Sequence, residues 1–261
     1  MLARADRPAC VQSVTPVTFA TRDDTYPSRM TYTFSVLHIS DLHERGPREN
    51  EPYRRYRVLG DVWRQNLDEL TQEGGVDMVC FTGDLADHGK AEEYQKISEF
   101  LAGLVSHLKL DRSRLFVVPG NHDIDRSIAP KEWRHVRDNL GEAKSSLAIS
   151  RWMAGGAAPF GFLDAERDAV LSRQASFRSW LKQFGLAAQS PDTSGRLLGY
   201  RLPLRLPHLP FPVHVIGLDS AWLAGDDADA RRLRLTDGQV QSLCNNPLDG
   251  RALDGFRLAL I

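Results

Sequence analysis

The sequence predicts an α/β layered domain, and three features of its first half carry that expectation. Short apolar, β-branched runs alternate with stretches of helical apolar spacing, a glycine pair separates one such stretch from the next run, and each run ends in a polar loop. A chain of 261 residues can bury a core of ordinary size, so one principal domain is expected.

The elements follow in chain order. Residues 1–32 mix Arg, Asp, Pro, Thr and Ser without periodicity and read as a poorly ordered lead-in, with the domain running over 33–261. The run FSVLHI at 34–39 suits a buried strand. Leu59, Val62, Trp63, Leu67 and Leu70 then have helical spacing, and Gly74-Gly75 supplies a stop. A second strand is expected over 76–81. Tyr94, Ile97, Leu101, Leu104 and Leu108 form the apolar stripe of a second helix, and a third strand is expected over 114–118. This succession indicates βαβ units. From 124 to about 195 the chain becomes rich in Ala, Arg and Trp, with the break GGAAPFG near its middle, and reads as a mostly helical insertion over a site. Strands return at 196–202 and 213–218, a helix starts near Thr236, and the apolar run at 256–261 ends the sequence inside a strand.

Composition excludes several function classes. With 33 basic against 34 acidic residues there is no broad field, so neither general nucleic-acid binding nor attachment to an anionic membrane is expected, and a phosphate-bearing substrate must be held locally. Cys10, Cys80 and Cys244 are odd in number and widely spaced, which argues against a disulfide framework and fits a reducing compartment. No stretch has the length of a signal-peptide core or a bilayer span, and a soluble cytoplasmic protein is the expectation.

Three segments, each placed directly after an expected strand, collect the hard-ligand side chains: Asp41-Leu42-His43, Gly83-Asp84 and Gly120-Asn121-His122-Asp123. In a parallel α/β sheet the carboxyl ends of the strands converge on one edge, so Asp41, His43, Asp84, Asn121 and His122 would arrive at one place. Asp41 and His43, two residues apart, can grip one cation with a carboxylate oxygen and an imidazole nitrogen. Asp84 has two oxygens and could bridge two cations, and Asn121 offers a neutral carbonyl oxygen aimed by the turn at Gly120. A mixed nitrogen and oxygen shell suits Mn, Fe or Zn better than calcium.

D-x-H, G-D and G-N-H-D in this order, each behind a strand, resemble the calcineurin-like metallophosphoesterases, and the run GDLADHGKAEEY resembles the cyclic-nucleotide phosphodiesterase branch. The resemblance implies a two-sheet αββα sandwich with two divalent metal ions at the strand ends. Carried over by position, Asp41 and His43 would bind the first metal, Asp84 would bridge both and Asn121 would bind the second. His122 would be the proton donor, with Asp123 orienting or charge-stabilising it. The implied activity is hydrolysis of a small phosphoester or nucleotide substrate, with a metal-activated hydroxide as nucleophile. The family normally supplies further histidines later, in His-His-Pro-like and Gly-His-x-His turns, and neither motif occurs in these residues. The expectation is therefore an incomplete C-terminal part, with room for further C-terminal domains in a longer protein. The rival readings are a cyclic-nucleotide phosphodiesterase and a non-catalytic sensor or scaffold module.

Other conspicuous residues receive plainer readings. His38 is expected to be a hydrogen-bonded core histidine, and His88 a solvated loop residue. His208 and His214 lie away from strand ends and make poor replacement ligands. Arg45, Arg48, Arg54, Arg55 and Arg57 are interspersed with Glu44, Glu49 and Glu51, as in a solvated loop. Trp133, Trp152 and Trp180 are expected in the core.

Overall fold

The structure, a computed structural model, describes residues 11–21, 30–48, 60–140, 146–190, 198–226, 229, 233–246 and 249–261. Among the described residues there are seven strands and seven α-helices. They are β1 (Val11–Thr21), β2 (Met30–Ile39), α1 (Asp61–Gln72), β3 (Met78–Thr82), α2 (Tyr94–His107), β4 (Leu115–Val118), α3 (Pro130–Asn139), α4 (Ser146–Met153), α5 (Asp164–Ser172), α6 (Ala175–Gln183), β5 (Gly199–Leu204), β6 (Val213–Leu218), α7 (Asp237–Cys244) and β7 (Phe256–Leu260).

Two sheets result. The first has the order β1-β2-β3-β4, with β2, β3 and β4 parallel and β1 antiparallel at the edge. The second has the order β5-β6-β7, with β5 antiparallel and β7 parallel to β6.

The continuous apolar runs of β2 to β4 are explained by burial on both faces. Phe34, Val36, Met78, Cys80, Phe116 and Val118 point toward Tyr200, Leu204, Val213, Val215 and Leu260 of the second sheet. Their neighbours Leu37, Ile39, Val79, Phe81, Leu115 and Val117 point the other way, onto Trp63 and Leu67 of α1, Ile97 and Leu101 of α2, and Phe177, Trp180 and Leu181 of α6. On β6 the alternation continues, with Ile216 and Leu218 packing on Leu243 of α7. The layers are thus helices, sheet, sheet and helix, the two-sheet sandwich that the motifs imply. Cys80 lies in the inter-sheet core, where burial pushes its thiol up to about 12.

Local sequence accounts for several boundaries. α1 closes before Gly74-Gly75, where the Gly75 N–H donates to the Leu70 carbonyl at 2.9 Å. α7 starts in a capping box: Thr236 Oγ1 accepts from the Gln239 N–H at 3.2 Å, and Gln239 Oε1 accepts from the Thr236 N–H at 2.6 Å. Between β4 and β5 the described residues form four α-helices and no strand. Trp133 and Trp152 centre their own core with Val136, Ile149, Val170 and Trp222, and Trp180 joins the core beneath the first sheet.

One expectation needs correction. The lead-in over 1–32 is not without regular structure, because Val11–Thr21 pairs with β2 from Val11↔Ile39 to Thr21↔Met30 and β2 itself begins at Met30. The segment carries the β-branched and aromatic residues that favour strands, but Pro16 argues against a central strand. An edge position reconciles the two. Leu59 and the arginines at 54, 55 and 57 lie outside the described residues. Among the described residues no helix is long and apolar enough to cross a membrane.

Candidate metal centre

The parallel register places three carboxyl ends side by side. Ile39 pairs with Phe81 and Phe81 with Val117, so the loops that follow β2, β3 and β4 emerge at one edge. The loops remain zipped beyond the strands. The Asp41, His43 and Glu44 amides donate to the carbonyls of Gly83, Asp84 and Leu85 at 3.2, 2.9 and 2.8 Å, and the Gly83 amide donates to Val118 at 3.1 Å.

Asp41, His43 and Asp84 all adopt left-handed backbone conformations, with φ of 60°, 47° and 57°. Non-glycine residues rarely do so, and such outliers gather at functional sites where surrounding bonds over-determine them. Gly83 and Gly120 make the close approach possible. A Cβ on Gly83 would stand 2.9 Å from the Gly120 Cα, and one on Gly120 would stand 2.2 Å from Asp84 Oδ1. Asp84 can therefore lean over Gly120 and accept the His122 N–H on Oδ1 at 2.9 Å.

The side chains converge on His43. Its Nε2 lies 3.7 Å from Asp41 Oδ1 and 3.8 Å from Asp84 Oδ2, and its Nδ1 lies 3.6 Å from Asp87 Oδ1. The donor atoms of Asp41, His43 and Asp84 all fall within 4.8 Å of one another, as do those of His43, Asp87 and His122. Neighbouring donors around one small cation with bonds of about 2.1 Å are roughly 3–3.5 Å apart, so the first group needs little adjustment to close on an ion.

The electrostatics agree with that donor set. Burial by itself would hold the His43 imidazole neutral, but Asp41, Asp87 and Asp84 outweigh it and push the group up to about 10. His43 in turn holds the Asp41 carboxyl below its ordinary range. Asp87 falls to about 2, because His43, His88 and Arg45 overcome the opposing effect of its partial burial. Three carboxylates crowd one imidazole, an excess of negative charge suited to a divalent cation.

Asp41, His43, Asp84 and His122 lie together, and Asn121 lies between Gly120, which packs on Asp84, and His122, whose amide binds it. The His122 ring meets His43 edge-on with centroids 4.5 Å apart, and its Nδ1 donates to the Asp87 carbonyl at 2.8 Å, which leaves Nε2 as the exchangeable position.

Asp123 does not orient the His122 ring. It is fully buried, and its two oxygens accept from the amides of Leu85, Ala86 and Gly120 at 3.2, 2.9 and 2.9 Å and from Tyr94 Oη at 3.2 Å. Desolvation, with the charge of Asp84 added, pushes it up to about 7 against the pull of those amides. It staples the loop after β3 to the loop after β4. His38 bonds to Thr82 Oγ1 at 2.5 Å, half-buried in β2. His208 sits 3.8 Å from Asp77, at the opposite end of β3, and His214 bonds to the Asp254 carbonyl at 2.6 Å, so neither joins the centre.

Asp87 belongs to the centre although it stands in none of the three motifs. One of its oxygens faces His43 and His122 at 3.6 and 3.8 Å, and the other faces His88 and Arg45 at 3.0 and 3.2 Å. The sequence held one signal, a second carboxylate three residues after Asp84 in GDLADH. Its importance depends on two histidines arriving from other strands.

The family model for calcineurin-like phosphoesterases matches residues 34–199, a span that contains every residue of this centre. An uncharacterised metallophosphoesterase-like protein of Bacillus subtilis strain 168, YydB, is 31% identical over 94 residues, covering 35% of this chain and 18% of that protein. The glycerophosphodiester phosphodiesterase GpdQ of Enterobacter lignolyticus strain SCF1 is 30% identical over 116 residues, covering 43% of this chain and 37% of that protein. The matches thus span well under half the length of either relative.

Proposed function

This chain belongs to the calcineurin-like phosphoesterase family, and from that premise we propose that it hydrolyses a small phosphodiester at a dinuclear centre built on Asp41, His43, Asp84 and Asn121. The observation that carries this reading is the convergence of Asp41, His43 and Asp84 within 4.8 Å on strained backbone at one sheet edge. The name of the E. lignolyticus relative supports a diester over a monoester.

Two divalent cations, Mn, Fe or Zn by the chemistry of the donors, would neutralise phosphoryl charge and acidify the attacking water when bound. The chain's own groups do the rest. Asp41, His43 and Asp84 hold their positions through the backbone hydrogen bonds between loops, so little reorganisation accompanies loading. His122, its Nδ1–H fixed on the Asp87 carbonyl, presents Nε2 as the site from which a proton passes to the departing oxygen. Asp87 sets the orientation of His43 from behind. The helical region between β4 and β5 would shape substrate choice. Free thiols at Cys80 and Cys244 fit a reducing compartment, and we place the protein in the cytoplasm.

The test is hydrolysis of bis(p-nitrophenyl) phosphate with added Mn²⁺, beside p-nitrophenyl phosphate and a cyclic nucleotide. Diester turnover that disappears in Asp84→Ala and in His122→Ala is expected, and turnover that survives both replacements contradicts the reading. A second reading, a non-catalytic sensor or scaffold, draws on one observation: among the described residues both donor groups share His43, so one cation is better provided for than two. It requires at most one metal equivalent per chain and no turnover at any Mn²⁺ concentration.

A further inference from the structure

We infer that Tyr94 is a positioning residue that ties the helical region to the metal-ligand loops through its hydrogen bond to Asp123. The inference rests on the metal-centre reading above and adds a residue to it.

Asp123 is the staple between the two loops. The amides it accepts belong to Leu85 and Ala86, directly after Asp84, and to Gly120, directly before Asn121. Its fourth donor among the described residues is the Tyr94 hydroxyl at 3.2 Å, a side chain in a set otherwise made of backbone. The hydroxyl therefore adds a side-chain hold to a carboxylate that three amides already tie to both loops.

The hydroxyl is itself held from outside the loops. The Tyr94 ring is buried and stacks on Trp180 of α6, with centroids 5.2 Å apart and planes inclined by 22°. Trp180 Nε1 donates to Ser98 Oγ at 2.9 Å, and its ring stacks in turn on Phe184 at 5.6 Å, over which the Arg112 guanidinium lies at 4.5 Å. The column Tyr94, Trp180, Phe184 and Arg112 thus runs from Asp123 outward to the surface. Phenylalanine would fill the same apolar volume. A hydroxyl in that place costs free energy unless it is bonded, and Asp123 is its partner, so the oxygen serves the loops and not the core.

The experiment compares Tyr94→Phe, which deletes only the hydroxyl, with Phe177→Leu, which loosens the same core 6.3 Å from Tyr94 without touching Asp123. Three quantities are read for each: the Mn²⁺ dissociation constant from the free-ion signal in electron paramagnetic resonance, the melting temperature without metal, and amide exchange at Leu85, Ala86 and Gly120 in the metal-free chain. Tyr94→Phe should weaken Mn²⁺ binding by about 3–10-fold and speed exchange at the three amides by a similar factor, with Tm held within a few degrees. Phe177→Leu should lower Tm further and leave the Mn²⁺ constant within about twofold. Unchanged Mn²⁺ affinity or unchanged exchange in Tyr94→Phe overturns the inference, as does equal weakening in Phe177→Leu. A wild-type chain that takes up no Mn²⁺ sinks the metal-centre reading instead, and the exchange arm then decides the role of Tyr94 alone.

Discussion

The carboxyl edges of the two sheets use the same residue type for opposite ends. After β3, Asp84 sits on left-handed backbone, partly open to solvent, among His43, Asp41 and the His122 amide. After β6, Asp219 is buried to 1% exposure, one oxygen accepts the Ala221 amide at 3.0 Å, and Gln174 and Arg178 of the helical region lie beside it. A carboxylate at a strand end is thus not a ligand by position alone. It becomes one where glycine neighbours and forced φ angles turn it outward toward other donors, and it becomes a structural anchor where a backbone amide and the charge of a buried arginine hold it inside the fold.

The sharpest way to break this contrast is to remove each carboxylate. Asp84→Ala should reduce Mn²⁺-dependent hydrolysis by on the order of 10³-fold or more, about 4 kcal/mol in the barrier, and leave Tm within a few degrees. Asp219→Ala should do the reverse, lowering Tm by on the order of 10 °C, because Arg178 is left buried without its counter-charge, while the correctly folded fraction keeps its turnover. Equal losses of activity in the two variants would erase the distinction.

A subtler change tests the glycine half of the contrast. Gly120→Ala sets a methyl 2.2 Å from the present place of Asp84 Oδ1 and 2.3 Å from the Asp84 amide nitrogen, so both the carboxylate and the loop backbone must shift. Activity should fall by about 10–100-fold and Tm by several degrees, measured by kinetics and calorimetry on one preparation.

The anchor side of the contrast has a pH signature. Burial pushes Asp219 up to about 6 from 3.8, Arg178 opposing. The native state then binds this proton more tightly than the unfolded chain, so the contribution is favourable at low pH and is lost as pH rises from about 4 to about 6, on the order of 1–3 kcal/mol. Denaturant titrations across that window should show a shallower decline for Asp219→Asn than for the wild type.

The smallest effect is expected at His88, which stands at the rim 3.0 Å from Asp87 Oδ2 with a side chain 55% exposed. His88→Ala should change kcat by less than about threefold. A large loss would move His88 from the rim into the centre.

How much of this was legible beforehand follows physical lines. β2 to β4 announce themselves because burial on both faces demands unbroken apolar runs, and the loop motifs announce themselves because their donors are adjacent in sequence. β1 was hidden by Pro16, which only an edge tolerates. Asp87 was hidden because its partners, His43 and His122, come from two other loops. Asp123 adjoins His122 in sequence without orienting its ring, because its carboxylate turns inward to the Leu85 and Ala86 amides of the facing loop and the Gly120 amide of its own.

The thiol of Cys80, sealed between the two sheets, gives the molecule an internal clock. Burial to 1% exposure keeps it from alkylating reagents until the sheets part, whereas Cys244 is only partly buried. The ratio of labelling rates at the two cysteines, read by peptide mass, would therefore time how often the sandwich breathes, without any added probe.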